Sequence, residues 1–277
     1  MSSDPVPDAF YRDGNTAGVA DAAGRAHRRV VSWFSCGAAS AVASKISIQK
    51  YDDVEVVYCD TMSTEHPDQQ RFFDDVQRWL GQNIVRIRSE KYADVDEVIE
   101  QRRYMAGIAG APCTVEMKKV PRFAYQRPDD RHIFGLHEGE EARATNLQEN
   151  DPGLDMEFPL IDFGYGKSDC AAVLIRAGID LPAMYKLGYG NNNCLGCVKA
   201  TTVKYWQGIR HDFPEVFERR VRQSRDLGVR LVEIRHHERI FLDELPDGYD
   251  PKDKGARESI SCGPDCGIQP SLNGVLL

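Results

Sequence analysis

The stretch Val30-Val31-Ser32-Trp33-Phe34 runs directly into Ser35-Cys36-Gly37-Ala38-Ala39-Ser40, and no other feature restricts the fold so tightly. Four of the first five residues are β-branched or aromatic, the composition of a short buried strand. Small residues then make a tight turn, and Ala38 to Gln49 is compatible with a helix. A strand feeding a small-residue turn that opens a helix is a ready anion site. The first backbone N–H groups have no partner inside the helix, and the helix dipole is positive there. Ser35 and Ser40, spaced around Gly37, add hydroxyl donors. The loop is not a Walker loop, because Gly-Lys-Ser/Thr is absent. For a motif this short, a strand-to-helix turn without a ligand is an equal reading.

The rest of the first half repeats the same rhythm. Val54 to Tyr58 predicts a second strand, Ile84 to Ile87 a third, and His132 to Leu136 a fourth. Ser63 to Pro67 opens a helix with apolar face Phe72, Phe73, Val76, Trp79 and Leu80, stopped by Gly81. Val95, Val98 and Ile99 mark another helix. Strands alternating with helices predict an α/β protein with a doubly wound, Rossmann-like parallel sheet. Ligands of such sheets bind outside the carboxyl ends of the strands. Ser35, Asp60 and Gly135 all fall at such ends, which predicts one shared site.

From about residue 150 the pattern changes. Glu157 to Phe163 is a turn-flanked apolar segment, and Ser168 to Ala177 reads as a helix. Gly188 to Asn193 is a loop that delivers Cys194-Leu-Gly-Cys197. Asp212 is placed as the cap of a helix carrying Phe213, Val216, Phe217, Val221 and Leu227, with Pro214 in its first turn. Leu231 to Ile234 reads as a last strand. The expected organisation is a flexible tail over 1–28, a nucleotide-binding domain with the metal-site cysteines over 29–200, and a helical, cysteine-bearing extension over 201–277.

Eight cysteines without a secretion signal favour metal or redox chemistry over structural disulfides. The expectation is a cytoplasmic protein with no membrane partner. A net charge of −8 gives no support to sequence-blind nucleic-acid binding.

Several separated blocks together resemble one family. The opening loop is similar to the PP-loop of the adenine-nucleotide alpha-hydrolase-like superfamily, usually Ser-Gly-Gly-x-Asp-Ser; Ser35, Gly37 and Ser40 match, while Cys36 and Ala39 replace a Gly and the Asp. Cys59-Asp60-Thr61 followed by Glu65-His66-Pro67 resembles the Asp-Thr-Gly…Phe-Pro-Glu block of the sulfonucleotide (PAPS/APS) reductases. Arg143-Ala-Thr-Asn-Leu147, Pro159 to Phe163 and Tyr185-x-x-Gly188-Tyr189 follow in the reductase order. Where that family carries an arginine block, this chain has Gly135-Leu-His137-Glu-Gly-Glu-Glu141. The resemblance implies an adenine nucleotide held by Ser35, Gly37, Ser40, Asp60, Thr61, Gly135 and Arg143, with Lys118 and Lys119 available to compensate for the missing arginines.

It also implies a [4Fe–4S] cluster. The cluster-bearing reductases use a Cys-Cys pair and, about 80 residues later, Cys-x-x-Cys. Here Cys113 fits the first block with Thr114 in the second cysteine's place, and Cys194 and Cys197 complete the set. Zinc or a bare redox Cys-x-x-Cys remains open on spacing alone. Cys262, Cys266, substrate or a sulfide are candidates for the fourth position. Asp265-Cys266-Gly267-Ile268-Gln269 resembles the family's C-terminal Glu-Cys-Gly-Leu-His, which makes Cys266 the expected nucleophile and a thioredoxin-type dithiol the expected reductant. Gln269 stands where that motif has His.

Two activities follow. One is a sulfonucleotide reductase acting through Cys266. The other is an ATP-dependent, iron–sulfur-dependent sulfurtransferase of the same superfamily, with a tRNA or DNA acceptor. Three cysteines and the sparse arginine block suit the second. Cys266-Gly-Ile and the absence of a loop carboxylate at Ala39 suit the first, which is the preferred reading. A nucleotide-binding module without catalysis is a third, and a homo-oligomer is compatible with each.

Overall fold

The computed structural model describes residues 28–107, 110–235 and 238–248. The expected tail lies almost wholly outside these residues, and Cys262 and Cys266 lie outside them entirely. In chain order the elements are β1 (Val30–Phe34), α1 (Ala38–Lys50), β2 (Val54–Cys59), α2 (Gln69–Leu80), β3 (Ile84–Ile87) and α3 (Val95–Arg102). A helical segment follows, made of α4 (Pro112–Thr114), a π-helical turn (Val115–Lys119) and α5 (Val120–Tyr125). Then come β4 (Arg131–Phe134), α6 (Glu141–Asn150), β5 (Asp155–Glu157), α7 (Pro159–Asp162), α8 (Lys167–Arg176) and α9 (Ala183–Lys186). The last are α10 (Val203–Asp212), α11 (Pro214–Leu227), β6 (Val232–Arg235) and β7 (Glu238–Ile240). The chain divides into two compact units: one of residues up to Tyr58, Arg71–Ile87 and Tyr125–Leu181, the other of Cys59–Gln70, Arg88–Ala124 and Pro182 onward.

The first unit is built on a five-stranded, all-parallel sheet in the order β3-β2-β1-β4-β5. This is the predicted Rossmann-like arrangement. β1 lies at its centre, with Val30 opposite Val54 on one side and Arg131 on the other. All five β1 residues are buried, which is why the sequence shows an apolar run instead of alternation. α1 and α8 pack on each other. The buried residues of α1 are mostly small, and Ser44 Oγ reaches Ser32 Oγ of β1 at 2.9 Å. At the amino end of the sheet the Arg29 guanidinium binds Asp130 (2.6 Å) and Glu55 (2.7 Å). The strand order reverses direction between β1 and β4, so the crevice of the sheet opens at their carboxyl ends.

The second unit has its own core, which includes Val98, Ile99, Met105, Met117, Trp206, Ile209 and Phe217 together with Cys194 and Cys197. α10 and α11 pack together, and α10 lies on β6. The predicted last strand is present but pairs antiparallel with β7 in a separate two-stranded sheet. One assignment is corrected: Phe213, not Asp212, is the N-cap of α11. Asp212 instead ends α10, where its carboxylate accepts from the Tyr189 hydroxyl at 2.9 Å and from His211 at 2.8 Å. Pro214 is at the start of α11 as expected. Among the described residues no helix is long and apolar enough to cross a membrane.

Candidate functional site

The carboxyl end of β1 opens into the loop Ser35–Gly37, and Gly37 is the N-cap of α1. The Ser40 hydroxyl is the hub of this loop. It donates to the Gly37 carbonyl (3.0 Å) and faces three donors: Ser35 N (3.0 Å), Ser35 Oγ (3.1 Å) and Gly37 N (3.4 Å). One hydroxyl oxygen has two lone pairs, so the loop holds more donor capacity than Ser40 can satisfy. Surplus donors at a helix N-terminus are what an anionic oxygen requires.

Two residues shape this cradle. Cys36 is buried and takes φ +57°, a left-handed conformation that costs a non-glycine residue roughly 1–2 kcal/mol. Gly135, directly after β4, lies against the start of α1: a Cβ there would stand 2.5 Å from Ser40 Cα and 2.8 Å from Ser40 N. Ser35, Gly37, Ser40 and Gly135 are therefore gathered at the carboxyl ends of β1 and β4.

Arg143 lies nearby in sequence on α6, with Nη1 2.5 Å from Glu140 Oε1. His137 Nε2 approaches the other Glu140 oxygen at 3.3 Å. The Glu138 N–H donates to the Tyr165 carbonyl (2.9 Å), which ties the loop after β4 to the loop before α8. Lys167, the first residue of α8, has its pKa lowered by burial; Glu140 pulls it up and Arg143 pushes it down. Arg143 thus belongs to a mixed-charge cluster that sequence reasoning did not assemble, because the glutamates hid its cations.

Asp60 and Thr61 fall in the second unit. Asp60 accepts from the Met62 N–H (3.0 Å) and takes Nε and Nη2 of Arg88 on its other oxygen. The Thr61 hydroxyl donates to Glu65 at 2.5 Å. Cys59, just before them, donates to the Lys118 carbonyl; burial pushes its thiol up to about 12, against the pull of Lys118 and Arg122.

Cys113, Cys194 and Cys197 all belong to this second unit, and none of them is in a disulfide. Cys113 sits on α4 and packs, half-buried, against the core that contains the other two. The Cys194–Cys197 loop is held at every residue. The Thr64 hydroxyl lies 3.3 Å from Cys194 Sγ and 2.9 Å from the Thr61 carbonyl. It has one proton for two acceptors, so a thiolate at Cys194 would draw that proton and a thiol would return one. The Leu195 N–H donates to the Thr64 carbonyl (2.8 Å), and the Gly196 carbonyl accepts from Arg220 Nε (2.9 Å). The Cys197 N–H donates to the Tyr205 hydroxyl (2.9 Å). Gly196 takes φ +60°, and a Cβ there would meet Val216 Cγ1 at 2.8 Å.

Arg220 is 1% exposed and forms an ion pair with Asp96. Burial alone would raise the Asp96 carboxyl, but Arg220 and Arg219 outweigh it and hold the pKa low. Tyr205 is raised well above its usual value, first by burial and then by its nearness to Cys197 and Cys194. Sequence reasoning missed Thr64, Tyr205 and Arg220. Tyr205 and Arg220 lie in helical patterns that read as core or surface, and only tertiary packing brings them to the cysteines.

Among the described residues no three His, Cys, Asp or Glu side chains form a group that holds a metal as they stand. Three thiols are a donor set of the kind that suits a thiophilic metal; Thr114, the residue after Cys113 in the chain, has a buried hydroxyl with no hydrogen-bond partner. No family model matches the chain, and no curated protein matches it.

Proposed function

We propose that the chain is a sulfonucleotide (PAPS/APS) reductase-like enzyme of the PP-loop type, with an adenine nucleotide as substrate and an iron–sulfur cluster on Cys113, Cys194 and Cys197. The observation that carries the nucleotide reading is the surplus of donors around Ser40 at the crevice of a parallel sheet. Phosphate oxygens would take the donors of Ser35 and Gly37, while Gly135 lets β4 approach closely enough to close the cradle. Thr64, Arg220 and Tyr205 would keep the cysteine loop of the cluster in place.

Cys266 lies outside the described residues and enters as the proposed nucleophile. Its thiolate attacks the sulfate sulfur, an S–S bond forms, and the S–O bond to the nucleotide phosphate breaks with the electron pair leaving on the phosphate. A thioredoxin-type dithiol then reduces the S-sulfonated cysteine, releasing sulfite and becoming a disulfide.

The test is a binding and adduct experiment. Wild-type protein mixed with labelled sulfonucleotide and no dithiol should carry a sulfonate on Cys266; Cys266→Ser should keep nucleotide affinity and lose the adduct. No adduct on either Cys266 or Cys262, with ATP converted to AMP and pyrophosphate, would replace this reading with the ATP-dependent sulfurtransferase. Thr114 in the place of a fourth cysteine is what favours that second reading. Iron and sulfide analysis after anaerobic purification tests the cluster, and zinc alone would remove it.

A further inference from the structure

Three nitrogens converge on the Glu140 carboxylate in the loop that follows β4. Its Oε2 accepts from the His137 N–H at 3.1 Å and lies 3.3 Å from His137 Nε2, while its Oε1 accepts from Arg143 at 2.5 Å. On the other side of the ring, His137 Nδ1 stands 2.6 Å from the Glu138 carbonyl oxygen. Carbonyl and carboxylate oxygens only accept, so the ring is fully bonded only with a proton on each nitrogen. With a single proton, the shorter contact keeps it on Nδ1. Nε2 then turns a lone pair toward the Glu140 carboxylate, and the two repel. The proton that His137 can lose is therefore the one that holds Glu140.

This contact lies at the edge of the cradle. Gly135, in backbone contact with Ser40, is two residues before His137. At about 3.8 Å per residue, their Cα atoms are no more than about 7.6 Å apart, within a screening length of roughly 8 Å. The other charged groups around the pair are Arg143 on α6, Lys167 at the start of α8, and the exposed Glu138 and Glu141. Asp169 of α8 is turned onto the Gly166 N–H at 2.9 Å.

We propose that His137 is a proton-dependent positioning residue for the anionic nucleotide, acting through Glu140, which rests on the nucleotide reading above. As an imidazolium it holds Glu140 and offsets its charge. As a neutral ring it releases a carboxylate at the rim of an anion site. Nucleotide affinity thus falls as the ring loses its proton, and by reciprocity nucleotide binding takes a proton up.

The probe is adenosine 5′-phosphosulfate, whose anionic groups carry no proton between pH 5.5 and pH 8.5. Calorimetric titration of the full chain should show affinity falling roughly tenfold across that range. Titrations in buffers of different ionisation enthalpy should report proton uptake on binding. His137→Gln, which keeps an amide donor but no titrating charge, should flatten the profile and remove most of the uptake. Glu140→Gln should raise the affinity at pH 8.5 toward the value at pH 5.5, because no carboxylate is released. In ligand-free protein, the ring nitrogen-15 shifts of His137 should show two protons at low pH and Nδ1–H alone once the ring is neutral. A neutral ring protonated on Nε2, a flat wild-type profile, a profile that survives His137→Gln, or no rise in Glu140→Gln overturns the role of His137 and leaves the nucleotide reading standing. Wild-type protein that binds no adenosine 5′-phosphosulfate at any pH overturns both.

Discussion

A side chain at Gly135 would put its Cβ 2.5 Å from Ser40 Cα, so the end of β4 and the first turn of α1 are in backbone contact. Three loop donors converge on Ser40 Oγ, and any displacement of its Cα moves their common acceptor. The glycine therefore sets how tightly the cradle closes.

Gly135→Ala should destabilise the protein by roughly 1–3 kcal/mol, since the obstacle is backbone that cannot swing aside. It should also abolish adenine-nucleotide binding. Chemical denaturation and calorimetric titration check the two effects, and wild-type affinity in this variant would remove the cradle from the binding site.

Cys36 offers the complementary test, because its strain comes from φ +57° and not from crowding. Cys36→Gly should preserve the loop and nucleotide binding, as glycine adopts that conformation freely. Cys36→Val should lose both binding and stability relative to Cys36→Gly, because a β-branched residue tolerates the left-handed region worst. Equal behaviour of the two variants would mean the turn does not require this conformation.

Asp96 makes stability pH-dependent. Its carboxyl is held low in the folded protein by Arg220 and Arg219, so the unfolded chain binds the proton at higher pH. The contribution is full above the ordinary carboxylate range and is lost as pH falls through the lower folded value. Asp96→Asn should flatten the acid limb of unfolding free energy against pH. Arg220→Met, which leaves Asp96 with Arg219 and the long Gln223 contact and the Gly196 carbonyl without its Arg220 donor, should cost on the order of 3 kcal/mol.

Thiol reactivity should divide by burial. Burial pushes both Cys59 and Cys170 up to about 12, so at pH 8 they are almost wholly neutral thiols. Iodoacetamide on native protein should leave both unmodified while denatured protein reacts fully, as peptide mapping by mass spectrometry would show. Labelling of Cys59 at the rate of an exposed cysteine would contradict its burial.

The local pattern of residues determined the strands and helices of the parallel sheet and the place of Ser35, Gly37, Ser40 and Gly135 at its carboxyl end. Burial on both faces makes a central parallel strand a continuous apolar run, so β1 announces itself. α6 did not: only Ala144 and Leu147 of its ten residues are buried, too few to write an apolar stripe. β5, three half-buried residues long, has no periodicity to read. The sequence also named Cys194 and Cys197 from their spacing. Only tertiary structure decided that Arg220, from a helix 24 residues on, takes the Gly196 carbonyl, and that Tyr205 takes the Cys197 amide. Periodicity records which face of an element is buried, but not which polar atoms that burial brings together; those pairings belong to the packing.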